Sequence, residues 1–588
     1  MKTQRIKSRR RSVQTPLPGN WRTPLVITSV ALVLGLASTS LLAKVEVPKL
    51  DRSLWQEMQR GDKGRPPSRR APAPASEYRA YDGQGNNPYN TQWGVAQAPY
   101  LRETSGAHYS DGIASPAGAK RPSARLISNV LAAQGDVSTE DERGLSAAIY
   151  EFGQFLDHDI GLAQGGDSED FDIHVPTGDA YFDPASTGTA LIFLDRSAYA
   201  PGTGLSRPRE QINTVTAFID ASHIYGSDSG RAAWLRTFSG GKLKARQTGI
   251  GELLPLNDGS QANDNPLALP ANTLSVTGDV RANEQPGLTT LHIVFLREHN
   301  YHAARLAALH ANWDDERIYQ QARRIVAAEM QHITVNEFLP ALLGHKLPQY
   351  RGYNNRVNPG IGNTFATAAY RFGHSQVGPD IGVVNAAFEE TASLDLAGLF
   401  FNPDVIPSIG GIDSLVRYMA IDVAQRTDNL VVDPLRNFLF GPPGAGGFDL
   451  AALNIQRGRD HGLGSYNDVR ADYRLRRISS FNQITRNSAL AAALKRVYGD
   501  VNQIDAWVGM LAEDHLPGSS VGPTADAVIT DQFVRLRDGD RFWYQADRFD
   551  PQEIAAIKST TLAKVLRRNT GVTGLQDKIF FAEDLAQP

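Results

Sequence analysis

Apolar residues recur at intervals of three and four along several long stretches of the chain, the spacing that places them on one face of an α-helix. The segments with this pattern are residues 145–162, 288–310, 314–343, 411–424, 462–477, 488–498 and 551–569. Asp314 and Asp315 precede the apolar positions of the third segment, where an N-cap and a first-turn acid stabilise a helix start. Long segments rich in Gly and Pro, such as 248–283 and 441–448, lie between the helices. Loops of this length usually carry function or order around a ligand, so we predict one large, mainly α domain with long ordered loops, little β structure and a bound cofactor.

The composition allows a large core but excludes several kinds of chemistry. With 41% hydrophobic residues among 588, the chain can bury a sizeable interior. The net charge of −3 gives no basic surface for nucleic acid, so we expect no nucleic-acid partner. Because the chain has no cysteine, disulfides, thiolate catalysis and iron–sulfur clusters are excluded. Any metal must be held by histidine or by oxygen ligands.

Residues 1–50 are typical of a targeting segment and not of a folded domain. A basic run at residues 2–11 precedes an apolar stretch at residues 25–43. This stretch fits the core of a signal peptide and equally a membrane anchor whose basic end stays inside. Residues 51–76 are rich in Pro, Arg and Ala and predict an extended linker, which leaves 77–588 for the folded domain. We therefore predict a secreted protein, or one that contacts a membrane through the uncleaved apolar stretch alone.

Residues 153–160 (GQFLDHDI) contain several polar residues that could take part in catalysis or bind a ligand. On a helix, Gln154, Asp157 and His158 stand at i, i+3 and i+4 and share one face, whereas Asp159 points well away from that face. One side of the helix could therefore serve a cofactor while the other side serves a different ligand. An isolated segment of this kind also fits a core histidine flanked by solvated carboxylates, so the rest of the sequence decides between the two interpretations.

Three further segments contain arginine, histidine, acidic or amide residues that could serve the same site. They lie at residues 278–286 (GDVRANEQP), 370–374 (YRFGH) and 453–462 (LNIQRGRDHG). Together with residues 153–160, these segments resemble the animal haem peroxidase family, the group that contains myeloperoxidase, lactoperoxidase, peroxidasin and peroxinectin. The likeness begins near residues 78–83 (YRAYDG) and continues to residues 532–544 (QFVRLRDGDRFWY). It implies a haem peroxidase that reduces hydrogen peroxide through a ferryl intermediate and oxidises halides, thiocyanate or small phenols.

The resemblance also implies which residues act on peroxide. His158 would be the distal base, which takes a proton from the near oxygen of bound peroxide and returns it to the far oxygen so that water leaves. Arg281 would stabilise the charge that develops on the departing oxygen. Gln154 would hydrogen-bond a water or a halide in the same pocket. The expected partners are therefore hydrogen peroxide and small anionic or phenolic electron donors.

By the same resemblance, the cofactor would be a haem b held from the other side. His374 would ligate the iron, and Asn454 would accept a hydrogen bond from the other nitrogen of its ring. Arg371 and Arg457 would pair with the haem propionates. The remaining histidines of these regions are interpreted as structural, namely His223, His292, His299 and His461.

Asp157 and Glu284 stand where members of this family form ester bonds between carboxylates and haem methyl groups. An ester removes a charge that is costly to bury, although both residues also fit plain buried acids. In myeloperoxidase, a methionine directly after the glutamate adds a sulfonium link to the haem. Gln285 occupies that position here and cannot form such a bond.

A calcium site is the other metal centre that the resemblance implies. Residues 216–222 (TAFIDAS) place oxygen atoms at every second position, so that an extended loop can wrap a hard cation. By itself, the segment also fits a half-buried strand of alternating polarity. The ligands would be side-chain oxygens and one backbone carbonyl, from Asp159, Thr216, Phe218, Asp220 and Ser222.

Two other functions remain open at this point. Fatty-acid dioxygenases share the helical core but place a radical-forming tyrosine three residues before the proximal histidine, where Arg371 stands, while Tyr370 is four residues before it. A non-catalytic adhesion or matrix protein is suggested by the tripeptide at residues 60–62 (RGD). That alternative predicts loss of the distal residues, which are all present.

Overall fold

The computed structural model describes residues 77–135, 137–583 and 585, so the predicted targeting segment (1–50) and linker (51–76) lie outside the described residues. Helices dominate, which confirms the predicted mainly α fold class. In chain order the α-helices are α1 (Ala124–Ile127), α2 (Ala148–Ile160), α3 (Ser222–Tyr225), α4 (Ser229–Leu235), α5 (Pro286–Leu309), α6 (Asp315–Ile333), α7 (Leu339–Leu343), α8 (Asn363–Thr367), α9 (Val405–Ser408), α10 (Asp413–Ile421), α11 (Asp433–Arg436), α12 (Leu450–Asp460), α13 (Tyr466–Asp472), α14 (Ser488–Tyr498), α15 (Ala506–Ala512), α16 (Pro523–Asp538), α17 (Pro551–Ser559) and α18 (Leu562–Asn569). Tighter 3₁₀ or wider π-helical turns occur at Ser128–Ala132, Ala271–Thr273, Thr334–Phe338, Ala369–Ser375, Leu396–Gly398, Phe481–Gln483 and Val501–Gln503.

The described β structure consists of short antiparallel pairs. The strands are β1 (Ala98–Pro99), β2 (Gly165–Asp170), β3 (Ile173–His174), β4 (Leu191–Ile192), β5 (Asp195–Ser197), β6 (Ile212–Asn213), β7 (Arg246–Thr248), β8 (Gly251–Leu253), β9 (Asp380–Val384) and β10 (Glu390–Asp395). They pair as β1 with β6, β2 with β5, β3 with β4, β7 with β8 and β9 with β10. In the last pair, Ile381 lies opposite Leu394. Because each sheet has two strands, none forms a layer of the core, which is built by helices.

Most of the predicted helices are present. Four predictions correspond closely to α2, α5, α10 and α14, namely those at residues 145–162, 288–310, 411–424 and 488–498. Asp314 is the N-cap of α6, as predicted, because its side chain accepts a hydrogen bond from the backbone N–H of Arg317 at 2.8 Å. Acidic residues then follow in the first turn, where they favour the helix dipole.

Two predicted helices are shorter or less regular than expected. Residues 314–343 are helical as predicted, but α6 passes into the π-helical turn Thr334–Phe338 before α7 begins. Pro340 has no N–H with which to continue the hydrogen-bond ladder, and the wider turn accommodates that gap. Of residues 462–477, only α13 is helical, because a capping box at Ser465 fixes its start.

The predicted helix at residues 551–569 is two helices, and two further helices of more than ten residues were not predicted. Thr560 is extended, and the side chain of Thr561 caps α18, so adjacent threonines divide the segment. The two unpredicted helices are α12 and α16, which lie outside the segments predicted to be helical. In α12, the polar residues Asn454 and Gln456 point into the protein and are buried, which obscures the apolar periodicity on which such predictions depend.

Helix α2 lies inside the core and carries the polar face expected from its sequence. The ring of Phe152 packs against Phe338 and Phe580, with centroids 5.5 and 5.6 Å apart. The ring of Phe155 packs against Phe295 of α5 at 5.0 Å. Each buried aromatic side chain contributes roughly 1.5–3 kcal/mol. This packing fixes the rotation of α2 about its axis, and therefore the direction in which its polar side chains point.

In the described part of the chain, no helix combines the length and the apolar character that crossing a membrane requires. Helix α5, which spans Pro286–Leu309, carries Arg297, Glu298 and Arg305. The predicted membrane segment at residues 25–43 lies outside the described residues.

Candidate active site

One large cavity lies between helix α2 and the 3₁₀ segment Ala369–Ser375. Its volume is about 1300 Å³ when the part open to solvent is counted. Apolar side chains such as Phe400 and Phe440 form much of its wall. The cavity brings together most of the predicted catalytic and cofactor residues, namely Gln154, Asp157, His158, Arg281, Glu284, Arg371 and His374. Side chains from segments far apart in the sequence therefore meet around a space large enough for a cofactor.

His158 reaches this cavity from α2 as a buried, neutral imidazole. The residue is 3% exposed, and burial, together with the charge of Arg281, lowers its pKa well below the ordinary value. Its Nδ1 lies 3.5 Å from Asp279 Oδ1 but forms no hydrogen bond. A neutral imidazole can accept a proton, as a distal base must.

Arg281 is fixed by Asp279, which stands two residues before it. Arg281 Nε donates to Asp279 Oδ1 at 2.9 Å, and Nη2 donates to Oδ2 at 2.7 Å. Burial opposes ionisation of Asp279, but the charge of Arg281 outweighs it and holds the pKa of this carboxyl well below its usual range. Nη2 also donates to the carbonyl of Gly161 at 3.0 Å. Asp279 was not predicted from the sequence as a site residue. Its position in the GDVR segment, two residues before Arg281, was the feature that could have indicated it.

Two carboxyl groups, those of Asp157 and Glu284, face the cavity. Burial raises the pKa of Asp157 to about 6 and that of Glu284 to about 7. Although Asp157 lies deep in the protein, 40% of its side chain is accessible from the cavity, and its Oδ2 lies 3.9 Å from Arg281 Nη1. Near neutral pH both groups therefore exist partly as uncharged acids, which lowers the cost of placing them beside an apolar cofactor.

His374 comes from the 3₁₀ segment and contacts Asn454 of α12. The distance from His374 Nδ1 to Asn454 Nδ2 is 2.7 Å, and burial with the charge of Arg371 lowers the pKa of His374 to about 3. The pairing was predicted, but the amide is reversed: its NH₂ group faces the ring, because Arg371 Nη1, which can only donate, occupies the amide oxygen at 2.9 Å. Iron ligation through Nε2 would require the amide to turn over and accept from Nδ1.

Arg371 and Arg457 differ in their access to the cavity. Arg371 lines it. Arg457 is not among the described residues of the cavity wall, since its Nη1 donates to Ser197 Oγ at 2.8 Å and to Asp460 Oδ2 at 3.1 Å. A contact between Arg457 and a haem propionate therefore stays a prediction, and it would need another nitrogen of the guanidinium.

The predicted calcium ligands converge behind α2, on the side away from the cavity. The carboxylate of Asp159 accepts hydrogen bonds from the backbone N–H groups of Asp220, Ala221 and Ser222 at 3.0, 3.0 and 2.5 Å. Asp220 Oδ1 accepts from Thr216 Oγ1 at 3.1 Å. The loop is a series of bends and not extended as predicted, because Ala221 adopts a left-handed conformation at the start of α3.

The charges in this loop suit a hard cation. Asp220 and Asp159 are both buried, and burial, followed by repulsion from Asp159, raises the pKa of Asp220. Asp220 Oδ2 has no hydrogen-bond partner among the described residues, and the nearest cation, Arg79 Nε, is 3.9 Å away. Adjacent buried carboxylates with a free oxygen are the donor set that calcium prefers, so the residues fit the predicted ion.

The histidines interpreted as structural are all buried. Both ring nitrogens of His461 lie 2.7 Å from hydrogen-bonding groups, and those of His299 lie 2.8 and 2.9 Å from such groups. His223 and His292 pack edge-on against Phe155, with centroids 4.0 and 4.9 Å away. These contacts agree with packing roles.

A further buried histidine, His302, was missed in the sequence. Its Nε2 lies 3.1 Å from Glu298 Oε1 and 3.2 Å from Glu329 Oε2. These three residues have a spacing that a metal ion could bridge. However, Arg568 Nη1 already donates to Glu298 at 2.6 Å, so protonated His302 and Arg568 balance the two carboxylates. We therefore interpret the cluster as an ion-pair network that joins α5, α6 and α18.

Comparisons with known proteins agree with the geometry of the cavity. The family model for animal haem peroxidases matches residues 78–580. The chain belongs to the animal haem peroxidase family. Peroxinectin A of Dictyostelium discoideum is 37% identical over 517 residues, which cover 86% of this chain and 96% of that protein. The human peroxidasin homolog is 35% identical over 561 residues. The match covers 37% of the length of that protein, so most of it lies outside the matched region.

Comparison with solved structures agrees with this assignment of the fold. Peroxidase A from Dictyostelium discoideum has a TM-score of 0.81 and 35% identity, covering 86% of this chain and all of the other. A fatty acid alpha-dioxygenase from Oryza sativa has a TM-score of 0.70 at 19% identity, covering 86% of each chain, which shows a shared fold alone. The predicted single-domain peroxidase architecture is thereby confirmed.

Proposed function

We propose that this family member is a haem peroxidase that uses hydrogen peroxide to oxidise iodide, bromide, thiocyanate or small phenols. One observation carries the proposal: His158 and Arg281, from one side of the fold, and His374, from a separate element, line the same cavity. Buried neutral imidazoles and a fixed guanidinium are the groups that peroxide chemistry needs from a protein.

The cavity residues would hold the haem and leave its chemistry to the cofactor. Bound haem supplies an iron that accepts peroxide and stores its oxidising equivalents. His374, neutral because its pKa is lowered to about 3, would ligate that iron, and Asn454 would orient the ring. Arg371, on the cavity wall, would pair with a propionate.

On the peroxide side, His158 and Arg281 would divide the work. His158 would accept the proton of the oxygen nearer the haem and deliver it to the departing oxygen, which leaves as water. Arg281 would stabilise the negative charge on that oxygen through Nη1, since Nε and Nη2 are engaged by Asp279. Gln154, one turn before His158 on α2, would contribute an amide to the same space.

Asp157 and Glu284 would bind the haem covalently through ester bonds. Each ester would form from a haem methyl group, a neutral carboxyl group and one hydrogen peroxide, with release of two waters. The raised pKa values, about 6 for Asp157 and about 7 for Glu284, provide the neutral acid near physiological pH. The structure supports this proposal by placing both carboxyl groups on the cavity wall.

A calcium ion would join α2 to the loop at residues 216–222. The proposed ligands on opposite sides of this junction are Asp159 and Asp220, which are already linked through the backbone N–H of Asp220. Such an ion would neutralise the buried carboxylates and hold the part of α2 that carries His158. We further propose an exported location, on the basis of residues 25–43, which lie outside the described residues.

The dioxygenase alternative has one supporting observation. Tyr370 lines the cavity, and its hydroxyl is buried with no hydrogen-bond partner among the described residues. Arg371 nevertheless occupies the position three residues before His374, so the residue that dioxygenase chemistry would need is displaced by one. Oxygen uptake with a fatty acid in the absence of peroxide would favour this second function.

Absorption spectra of the purified holoprotein and of two single variants test the proposed function. His374→Ala should lose haem or its Soret band, because the iron ligand is gone. His158→Ala should keep the haem and react with peroxide about 10²–10⁴-fold more slowly, the usual cost of a lost general base. His310→Ala, which removes a ring stacked on Trp313 outside the cavity, is the control. Unchanged peroxide kinetics in His158→Ala would contradict the assignment.

A further inference from the structure

Helix α2 directs another carboxyl group, that of Glu151, into the wall of the same cavity. Glu151 stands three residues before Gln154 and seven before His158, so all three share one face of the helix. It is 1% exposed, and the groups that shift its pKa are Gln285 and Glu284, with no cation among them. Burying an acid without a cation is costly. The contacts that hold Glu151 in the cavity wall therefore indicate a functional role for this residue.

The side-chain amide of Gln285 connects Glu151 to Gln154, and both its oxygen and its NH₂ group form hydrogen bonds. Its Oε1 accepts the backbone N–H of Gly287 at 2.6 Å, which fixes the direction of the amide. Its Nε2 then donates to Glu151 Oε2 at 2.6 Å and to Gln154 Oε1 at 3.1 Å. Because the oxygen of Gln154 is turned toward Gln285, the NH₂ group of Gln154 remains available as a donor to the cavity.

The close approach of α5 to Glu151 depends on a glycine. A Cβ atom at position 287 would lie 2.2 Å from Glu151 Oε1, so any other residue there would force the carboxyl group to move. Gly287 thus allows the start of α5 to press against the carboxyl group, while its N–H is taken by Gln285. The arrangement holds Glu151 in the cavity wall beside the amide of Gln154.

The charge of Glu151 changes near neutral pH. Burial raises its pKa to about 7 against the hydrogen bond from Gln285, and Glu284, for as long as it is a free acid, acts in the same direction as burial. The carboxyl group is therefore neutral below about pH 7 and anionic above it. The other titratable or charged groups that line this cavity are Tyr150, Asp157 and His158 on α2, Arg281 and Glu284 before α5, and Tyr370, Arg371 and His374 on the 3₁₀ segment.

We propose that Glu151 controls which electron donors the cavity accepts: as a neutral acid it permits a small anion beside Gln154, and as a carboxylate it repels that anion. The proposal rests on the proposed peroxidase function. Uncharged phenols would be indifferent to the state of Glu151, since a single added charge acts mainly on other charges. Glu151 is thus a specificity-determining residue and takes no part in the reaction with peroxide.

The test measures how thiocyanate and a neutral phenol respond to pH in the holoprotein. Thiocyanate binding is followed by absorbance titration, and KM is measured for thiocyanate and for guaiacol. In the wild type, the dissociation constant and KM for thiocyanate should rise by at least about 10-fold as Glu151 ionises, with little change for guaiacol. Glu151→Gln keeps a hydrogen-bond acceptor for Gln285 and should abolish this rise.

A matched control and a second variant make the outcome decisive. Glu337→Gln removes another acid whose pKa is raised by burial, to about 8, but which lies outside the cavity, and it should behave like the wild type. Glu151→Ala removes the same charge if the glutamine variant fails to fold. The proposal is overturned if thiocyanate affinity is independent of pH in the wild type, or if its pH dependence persists without Glu151. Absence of guaiacol oxidation would instead count against the peroxidase function, because thiocyanate binding can still be titrated.

Discussion

Asp279 holds the guanidinium of Arg281 by two parallel hydrogen bonds, of 2.9 Å to Nε and 2.7 Å to Nη2. The same carboxylate reaches to within 3.5 Å of His158 Nδ1. One buried acid therefore faces both groups that are proposed to act on peroxide. It leaves Nη1 of Arg281 as the nitrogen directed toward Asp157, 3.9 Å away. Asp279 is a positioning residue, since it acts through Arg281 and His158.

Asp279→Asn should slow the reaction with peroxide by about 10-fold or more while haem remains bound. The new NH₂ group would face a donor of Arg281, so one of the two hydrogen bonds is lost and the guanidinium is free to turn. Arg281→Ala sets the upper limit, about 10²–10³-fold for loss of a charge-stabilising donor. Stopped-flow absorbance measures both rates.

Asp264→Asn is the control for this prediction, because Asp264 is a neighbouring acid whose backbone N–H donates to the carbonyl of Val280 and whose side chain forms no described hydrogen bond with the Arg281 side chain. Its peroxide kinetics should match those of the wild type. Wild-type rates in Asp279→Asn would show that Arg281 needs no such support.

The part of the site that could be predicted from the sequence consists of residues that share one face of a helix. Gln154, Asp157 and His158 share a face because they lie within about one turn of α2, and the structure brings all three into one cavity. Glu151 has the same periodicity, yet in the sequence it resembles an ordinary acid of a first helical turn. What distinguishes it is the contact with Gln285 from α5, which spacing along α2 does not reveal.

Contacts between distant segments account for the rest of what was missed. The orientation of Asn454 depends on Arg371, whose guanidinium reaches the amide oxygen from another segment. His302 and Glu298 are four residues apart and readable as a helical pair, but Glu329 arrives from α6. Such pairings are fixed by packing of the finished fold, so local patterns along one segment carry no signal for them.

The ester bonds should make the haem resistant to extraction. In the wild type, after turnover with peroxide, acidic butanone should leave most of the haem with the protein, since Asp157 and Glu284 both face the cavity. The double variant Asp157→Asn and Glu284→Gln should release it freely, because amides cannot form the same bonds. Glu151→Gln is the matched control and should retain its haem. Complete extraction from the wild type would exclude both esters.

Calcium should stabilise the junction between α2 and the loop at residues 216–222. A chelator should lower the melting temperature and the haem content of the wild type together, because the buried carboxylates of Asp159 and Asp220 would then repel each other. Asp220→Asn should bind less calcium and respond little to the chelator. Asp228→Asn, which keeps the N-cap of α4, should behave as the wild type. Metal analysis that finds no calcium in the native protein would rule out the site.

The network around His302 should stabilise the fold at neutral pH and lose its effect in alkali. Burial lowers the pKa of His302, but Glu329 and Glu298 outweigh it and raise the pKa to about 9, from 6.5. A folded-state pKa above the unfolded value means that the contribution is complete below about pH 6.5 and disappears as the pH rises through about 9. On the acidic side Glu329 is the first partner to lose its charge, because burial raises its pKa despite the charge of His302, whereas the hydrogen bond from His302 outweighs burial and lowers the pKa of Glu298.

His302→Gln should therefore cost about 3–5 kcal/mol near neutral pH, as when one partner of a buried ion pair is removed. The difference from the wild type should shrink at about pH 10, where the wild-type imidazole has also lost its charge. Chemical unfolding at both pH values measures the two differences. His345→Gln removes an exposed histidine paired with Asp526, and it should cost about 0–1 kcal/mol as surface pairs do. An equal loss for His302→Gln at both pH values would mean that packing of the ring, and not its charge, joins α5 to α6.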